Sequence, residues 1–268
     1  MKKCAIVVPT HSSYLDICKN FFELIEKNWK GCQYQKILSV IGEDQNPEIC
    51  EYIYNGKNVT LPRCIYNASK KYQADYYLCF LGDAFVSKPV NSQIINEIID
   101  YMEENGINYC SLNPAVACTR EKKINQLLRY INLKDRYGFT FTAFIATKEF
   151  IDREFSNGET DFEFENKYLE ISNSCSRDDD YYKDAVTLRQ NYLNIYPAIV
   201  KGKWDRHMYN VITKDNPEIK LSDREKLGTG MMGYIFISRN IVPRIPNRLR
   251  QGIKKIIVGF KKDLSETK

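Results

Sequence analysis

The sequence predicts an α/β protein in which a mostly parallel, Rossmann-like sheet lies between helices. Three observations support this fold class. Short apolar runs rich in β-branched residues alternate with amphipathic segments along much of the chain. The first run, residues 4–9, is continuously apolar, as expected for a strand that is covered on both faces. Finally, 268 residues are enough to bury a sizeable core, and strand–helix alternation favours parallel strands joined by helical crossovers.

The elements follow one another with recognisable boundaries. Apolar runs bounded by turn residues predict strands at residues 4–9, 36–44, 74–86, 107–112 and 139–147. Apolar residues at helical spacing predict helices at residues 12–29, 47–56, 61–72, 91–106, 121–131, 148–155 and 162–172. Ser12 is a suitable N-cap for the first helix, while Gly56 and Gly106 are placed to end two others.

Composition excludes several classes of protein. The net charge is a modest +5, and no apolar run approaches the roughly 20 residues that span a bilayer. Pro9 and His11 interrupt the N-terminal apolar run too early for a secretion signal. Nine cysteines without zinc-ligand spacing indicate reduced, mostly buried thiols and no structural metal site. We therefore expect a cytoplasmic protein.

The C-terminal segment differs from the rest of the chain. Residues 244–262 hold seven basic residues and no acid, with apolar residues at helical spacing. A basic amphipathic helix of this kind binds the interface of an anionic membrane. The alternatives are that its apolar stripe docks on the protein's own core or on a second subunit, which would make a homodimer. The predicted division is a main α/β domain at 1–240 and an appended basic amphipathic segment at 241–268.

Polar residues follow three of the predicted strands. Pro9, Thr10 and His11 end the first strand, Asp44 ends the second, and Gly82-Asp83 ends the third. In open α/β sheets, ligands bind beyond the carboxyl ends of the strands. These residues should therefore approach one another and form a binding site.

The predicted helix at 61–72 adds a polar line opposite its apolar face. Arg63, Asn67 and Lys71 recur at intervals of four residues. Cations leading into a cleft edged with carboxylates suit a nucleotide diphosphate with a divalent metal. The alternative is a solvated helix face beside ordinary strand-end acids.

The order of these features resembles a family. A strand ending in VVPTHSSY, a helix, a strand ending in an acid, and then ADYYLCFLGDAFV together look like the donor-binding half of GT-A glycosyltransferases. The likeness is to family-2-like enzymes that assemble bacterial surface polysaccharide, such as capsule. In that family an acidic DxD or DD signature holds the metal and the donor sugar-phosphate, whereas this chain has Asp83 alone. The resemblance implies Mn²⁺ or Mg²⁺ at Asp83, although two carboxylates hold such a cation better than one.

A second resemblance lies downstream, in the segments NGETDFEFENKY and YPAIVKGKWDRHM. It implies Glu165 as the base that takes the acceptor proton, with Glu163 as the next candidate. Trp204 is a candidate sugar platform, and His207 a candidate for binding the leaving diphosphate or closing a lid. The alternatives are acids that favour the first turn of a helix, a packed Trp and a surface His.

The resemblance implies hexosyl or related transfer from a nucleotide-diphosphate sugar, with a UDP-sugar favoured, to a glycan or lipid-linked acceptor at the inner face of the cell membrane. One rival is a non-catalytic α/β protein that binds nucleic acid or membrane; no RNA- or DNA-binding motif accompanies the basic segments, so nucleic acid is not expected. Another is a sugar nucleotidyltransferase. Such enzymes usually carry a glycine-rich phosphate loop after the first strand, and PTHSSY has no glycine.

Overall fold

The computed structural model describes residues 2–114 and 121–228, together with residues 230, 231 and 233. The strands within these ranges are β1 (Cys4–His11), β2 (Gln35–Ile41), β3 (Glu51–Tyr54), β4 (Tyr76–Phe80), β5 (Ala84–Val86), β6 (Tyr109–Ser111), β7 (Leu128–Asn132), β8 (Ala143–Thr147), β9 (Tyr181–Leu188), β10 (Ile195–Pro197), β11 (Ile199–Val200) and β12 (Lys203–Trp204). The helices are α1 (Leu15–Asn28), α2 (Leu61–Lys71), α3 (Ser92–Glu104), α4 (Lys148–Phe155), α5 (Asp161–Ser174) and α6 (Arg206–Asp215).

Eight strands form one central sheet in the order β3-β2-β1-β4-β8-β6-β9-β7. The pairs β1–β2, β1–β4, β2–β3 and β6–β9 are parallel. Strands β8 and β7 run antiparallel to their neighbours. The predicted α/β class is confirmed, in a sheet that is mixed rather than uniformly parallel.

Helices cover both faces of this sheet because its strands are apolar on both sides. Along β1, Ile6 and Val8 belong to the core under α1 and α3, whereas Ala5 and Val7 belong to the core under α2, α4 and α5. All four side chains are at most 1% exposed. A continuous β-branched run is what a strand needs when both of its faces pack against helices.

Two small antiparallel ribbons lie outside the central sheet. The chain leaves β4 through a turn in which the Ala84 N–H donates to the Leu81 carbonyl over 2.9 Å. It then continues as β5, which pairs with β10, while β11 pairs with β12 as a hairpin.

The helix predicted at 47–56 is wrong, because this segment holds strand β3. Tyr52, Ile53 and Tyr54 are aromatic and β-branched residues, which favour strands. The segment pairs in parallel with β2 at the sheet edge, and the Tyr54 hydroxyl donates to the Gly42 carbonyl over 3.0 Å.

The helix predicted at 121–131 is also wrong. The Asn125 side-chain oxygen accepts from the backbone N–H groups of Leu127 and Leu128, at 2.8 Å each, which makes a local turn. The chain then enters β7, which pairs with β9.

The predicted basic segment at 241–268 lies outside the described residues, so the domain division and the membrane interaction stay predictions. Of the helices that the structure does describe, none is both long and apolar enough to cross a bilayer.

Candidate active site at the carboxyl edge of the sheet

The strand order places a crevice between β1 and β4. From β1 the chain moves to β2 and β3 on one side, and β4 then adds on the other side of β1. Such a topological switch point leaves an opening beyond the carboxyl ends of the two strands, which is where open α/β sheets bind ligands. Thr10 and His11 stand at the end of β1, and Gly82 and Asp83 follow β4. The structure therefore brings these predicted site residues to one edge.

At the end of β1, residues from Pro9 to His11 continue the ladder with β2. Thr10 is buried, whereas His11 is exposed. The Ser13 N–H donates to Nδ1 of His11 over 3.1 Å, so the neutral imidazole carries its proton on Nε2. His11 therefore offers an N–H donor beside the ends of β1 and β2.

The end of β2 closes against the end of β1. Gly42 has a φ of +100°, and a Cβ there would lie 2.6 Å from Ser12 Oγ and 2.9 Å from His11 Nε2, so only glycine fits this turn. Beyond it, Asp44 accepts from the Tyr52 hydroxyl over 2.8 Å. Burial and this hydrogen bond raise the pKa of Tyr52 to about 12. Asp44 is thus held at the same sheet edge by a neutral tyrosine.

Asp83 is both a turn residue and an anchor. Its Oδ2 accepts from the Ile199 N–H over 3.3 Å, and its carbonyl accepts from the Ala198 N–H over 3.1 Å. These bonds fasten the segment that leads into the β11–β12 hairpin beside the crevice. Asp83 thus makes a tertiary contact with this segment in addition to placing a carboxylate at the sheet edge.

Gly82 lets the end of β4 approach α1. A Cβ at Gly82 would lie 2.5 Å from Cys18 Sγ and 3.7 Å from Thr10 Oγ1. A side chain at this position would clash with Cys18 of α1, whereas its contact with Thr10 at the end of β1 would be an ordinary one.

We expect Gly82→Ala to lower the free energy of unfolding by about 1–3 kcal/mol, the usual cost of overpacking a core. Cys18→Ala in the same chain removes the clashing sulfur and should restore much of that loss, because contacting residues are energetically coupled. Urea unfolding of the two single variants and the double variant measures the coupling. Strictly additive effects would contradict the packing explanation.

Glu165 reaches the same edge from the other side of β4. Its Oε1 accepts from the Phe141 N–H over 2.7 Å, and the next residue, Thr142, accepts from the Leu81 N–H over 2.9 Å. Leu81 is two residues before Asp83, so these two hydrogen bonds and the short stretches of backbone between them lead from the Glu165 carboxylate to the segment that carries Asp83.

The environment of Glu165 changes its acidity. Burial raises the pKa of its carboxyl above the ordinary value, the Phe141 and Thr140 hydrogen bonds oppose this rise, and the nearby Asp161 charge adds to it. A carboxylate with a raised pKa holds a proton more readily, as a general base requires.

Glu163 has a structural contact instead. It forms a capping box at the start of α5, in which its Oε2 accepts from the Thr160 N–H over 2.8 Å while its own N–H donates to Thr160 Oγ1. These bonds lower the pKa of the Glu163 carboxyl. The two candidate bases are therefore distinguished: Glu163 caps the helix and Glu165 faces the sheet edge.

The polar line on α2 is divided among different neighbours. The Arg63 guanidinium lies 4.4 Å from the centre of the Tyr66 ring and also donates to a backbone carbonyl after α4. Asn67 donates to Asn55 over 2.9 Å, supporting the turn after β3. Lys71 lies two helical turns from Arg63, about 12 Å along the axis, and packs on Tyr72 toward the opposite edge of the sheet. The three polar side chains therefore have separate partners and do not act together as one line of ligands.

The prediction that Trp204 is a platform for a sugar is wrong, because its side chain is buried. Its side chain is 0% exposed, it packs 5.6 Å from the centre of the Phe85 ring, and its Nε1–H donates to the Ser222 carbonyl over 3.0 Å. A fully buried ring has no face for a sugar. His207 is exposed in the first turn of α6, whose N-cap is Asp205.

Arg224 holds together segments next to the candidate site, and the sequence alone does not identify it. Its guanidinium donates to both carboxylate oxygens of Asp16, at 2.6 and 2.7 Å. It also donates to the Ser13 carbonyl and to that of Gly202 over 3.3 Å. It therefore ties the β11–β12 hairpin to the start of α1, a contact across about 200 residues that has no local sequence signal.

The described residues do not form a metal site on their own. Among them, no group of three or more His, Cys, Asp or Glu side chains converges as a set of metal ligands. Asp83 is followed by the buried Ala84 and Phe85 of β5, where a second acid would be needed.

Comparisons with known proteins give structural similarity only. No family model matches the chain, and no curated protein does. Solved structures that are similar include S. aureus TarS, with a TM-score of 0.48 and 12% identity over 92% of this chain and 46% of TarS. A TarS fragment, residues 1–349 in complex with UDP, has a TM-score of 0.45 and 12% identity over 92% of this chain and 77% of the fragment. A cytidylyltransferase from Leptospira borgpetersenii has a TM-score of 0.43 and 14% identity over 85% of this chain and 100% of that one. Scores below 0.5 at such identities establish neither a family nor an activity for this chain.

Proposed function

We propose that this protein is a glycosyltransferase of the GT-A type that uses a nucleotide-diphosphate sugar, with a UDP-sugar favoured. The observation that carries this proposal is the placement of Asp83 and Glu165 at one sheet edge, joined through the Leu81–Thr142 and Phe141–Glu165 hydrogen bonds. One carboxylate stands at the switch-point crevice, and the other has a raised pKa. Transfer of a sugar needs a donor site with a general base beside it.

Each of the site residues has a separate role in the proposed reaction. The nucleoside lies beyond the ends of β1 and β2, where the His11 Nε2–H and the Asp44 carboxylate offer a donor and an acceptor. Asp83 orients the sugar-phosphate end of the donor. The acceptor hydroxyl oxygen attacks the anomeric carbon, the bond from that carbon to the diphosphate oxygen breaks, and the hydroxyl proton passes to Glu165. The nucleoside diphosphate leaves with the bonding electron pair.

A divalent cation would be bound here only together with the phosphates of the donor. Mg²⁺ is commonly held by one or two carboxylates together with substrate phosphates. Asp83 is the residue that would share such an ion with a diphosphate. Asp83 has no second acid directly after it, since Ala84 and Phe85 of β5 follow, so the diphosphate oxygens would have to supply the other charged ligands of such an ion.

Thermal unfolding with UDP, GDP and CDP, each with and without Mn²⁺, tests the proposal. A ligand at 100 times its Kd stabilises the folded state by about 2.7 kcal/mol, which for a domain of this size raises Tm by about 5–10 °C. We expect one nucleoside diphosphate to do so.

The same measurement, repeated with the nucleoside triphosphates and with RNA and DNA, separates the rival functions. Stabilisation by nucleoside triphosphates but not by diphosphates would instead support a sugar nucleotidyltransferase. A response only to RNA or DNA would support a nucleic-acid-binding protein. Either result would overturn the transferase proposal.

A further inference from the structure

The β11–β12 hairpin contains a lysine in a backbone conformation that disfavours it. Its two-residue turn is Lys201-Gly202, with φ values of +52° and +77°. Positive φ at both positions is typical of a type I′ turn, in which Asn, Asp and Gly are preferred. Gly202 fulfils this preference, whereas Lys201 has a Cβ that crowds the backbone in the left-handed region. Residues held in such conformations cluster at binding sites, so an observed outlier justifies a functional hypothesis.

The hairpin is fixed beside the switch-point crevice at both ends. At its base, the Ile199 N–H donates to the Asp83 carboxylate over 3.3 Å. At its tip, the Gly202 carbonyl accepts from Arg224, which also donates to the Ser13 carbonyl. A Cβ at Gly202 would lie 3.8 Å from the Tyr14 hydroxyl. The tip therefore lies at the β1–α1 junction, two residues beyond the Asp83 contact.

Lys201 differs in its charge environment from two neighbouring cations, Arg224 and Lys203. The Arg224 guanidinium is paired with Asp16, and the Lys203 ammonium lies 2.6 Å from Glu225. Lys201 is exposed, and its ammonium has no carboxylate within 4.0 Å among the residues that the structure describes. It is thus an exposed cation at the tip of the hairpin that no described carboxylate neutralises.

We propose that Lys201 is a phosphate-binding residue whose ammonium contacts the diphosphate of the donor. This inference rests on the proposed function and adds a residue to its site. The ammonium is a compact point charge on a flexible stem, and a diphosphate bound between His11 and Asp83 would place its oxygens under the hairpin tip. On this proposal, a lysine is kept at this unfavourable backbone position because its charge binds the donor.

The backbone strain allows a variant whose effects on stability and binding have opposite signs. Lys201→Asn removes the ammonium and introduces a residue that the turn prefers. We expect Tm to rise by about 2 °C, because less strain remains in the folded state. We expect UDP affinity to fall about tenfold, since a charged hydrogen bond is lost.

Titration calorimetry with UDP, UMP and uridine locates the lost contact. For Lys201→Asn, the affinity loss should be largest for UDP, smaller for UMP and absent for uridine. Lys203→Asn is the matched control, because its ammonium is in the same hairpin but is paired with Glu225; its UDP affinity should stay within twofold of wild type. If GDP or CDP is the nucleotide that stabilises the wild type, the same series is made with its monophosphate and nucleoside.

The outcomes separate this inference from the proposed function. Unchanged UDP affinity in Lys201→Asn, or an equal loss for uridine, overturns the role of Lys201 while the proposed function stands. Failure of wild-type protein to bind UDP, GDP or CDP overturns the proposed function, and the role of Lys201 with it.

Discussion

Glu165→Gln is expected to lower the rate of sugar transfer by about 10²–10⁴-fold, the usual contribution of a general base, while UDP affinity stays within twofold. Gln keeps an oxygen that accepts the 2.7 Å bond from the Phe141 N–H, so the local structure should be preserved. Only the ability to accept the acceptor's proton is removed. Initial rates of transfer and calorimetric titration with UDP check the two halves of this prediction.

The raised pKa of Glu165 also predicts how Glu165→Gln changes the stability of the protein. Because burial raises the pKa of its carboxyl, the ionised form is disfavoured by folding. The wild type therefore loses stability as the pH rises through the ordinary Glu pKa toward the raised value, and the deficit persists at neutral pH. Glu165→Gln escapes this loss, so its Tm at pH 7 should equal or exceed that of the wild type. A less stable variant with weakened UDP binding would show that Glu165 has a structural role.

The pH–rate profile provides an independent readout. Transfer needs ionised Glu165, so activity should fall on the acid side at a pH above the ordinary Glu pKa. The negative charge of Asp161 contributes to the raised pKa, and Asp161→Asn should therefore move this acid limb to lower pH. An acid limb that does not move would exclude Glu165 as the titrating group.

Glu163→Gln is the matched control in the same turn of α5. Glu163 participates in the capping box with Thr160, and Gln keeps a side-chain oxygen that can accept from the Thr160 N–H in the same motif. This variant should be about as stable as the wild type and should transfer sugar at close to the wild-type rate.

The features that were predicted correctly depend on local patterns. Continuous apolar runs identified the buried strands β1, β2 and β4, and the rule for strand ends then brought Thr10, His11 and Asp83 to one edge. The helical spacing of Ile65 and Ala68 identified α2, because a stripe of that period needs a core on one side.

The predictions are wrong where tertiary contacts determine the secondary structure or the burial of a residue. Segment 47–56 is too short for its periodicity to separate a helix from an edge strand, and its pairing with β2 is what settles it. Burial of Trp204 depends on Phe85 and on the Ser222 carbonyl, neither of which is its sequence neighbour. The same holds for Arg224, whose partners near residue 13 come together only in the folded chain.

For Asp83, the structure changes which substitution is informative. Asp83→Ala removes a carboxylate but also the acceptor of the Ile199 N–H, so a loss of activity would mix chemistry with a loosened hairpin. Asp83→Asn keeps an oxygen for that bond and removes only the charge.

Asp83→Asn is expected to lower donor turnover by about 10²–10³-fold, the range seen when one preorganised electrostatic contact is removed from an active site, with Tm changed by less than about 2 °C. Asp83→Ala should lose the same activity and, in addition, hydrogen-exchange protection at the Ile199 amide. The comparison assigns the shared loss to the charge and the loss of protection to the anchor. If Asp83→Asn turned over donor at the wild-type rate while Asp83→Ala did not, Asp83 would hold the hairpin in place and the donor's sugar-phosphate would be bound by other residues at this edge, because the carboxylate charge would then be dispensable.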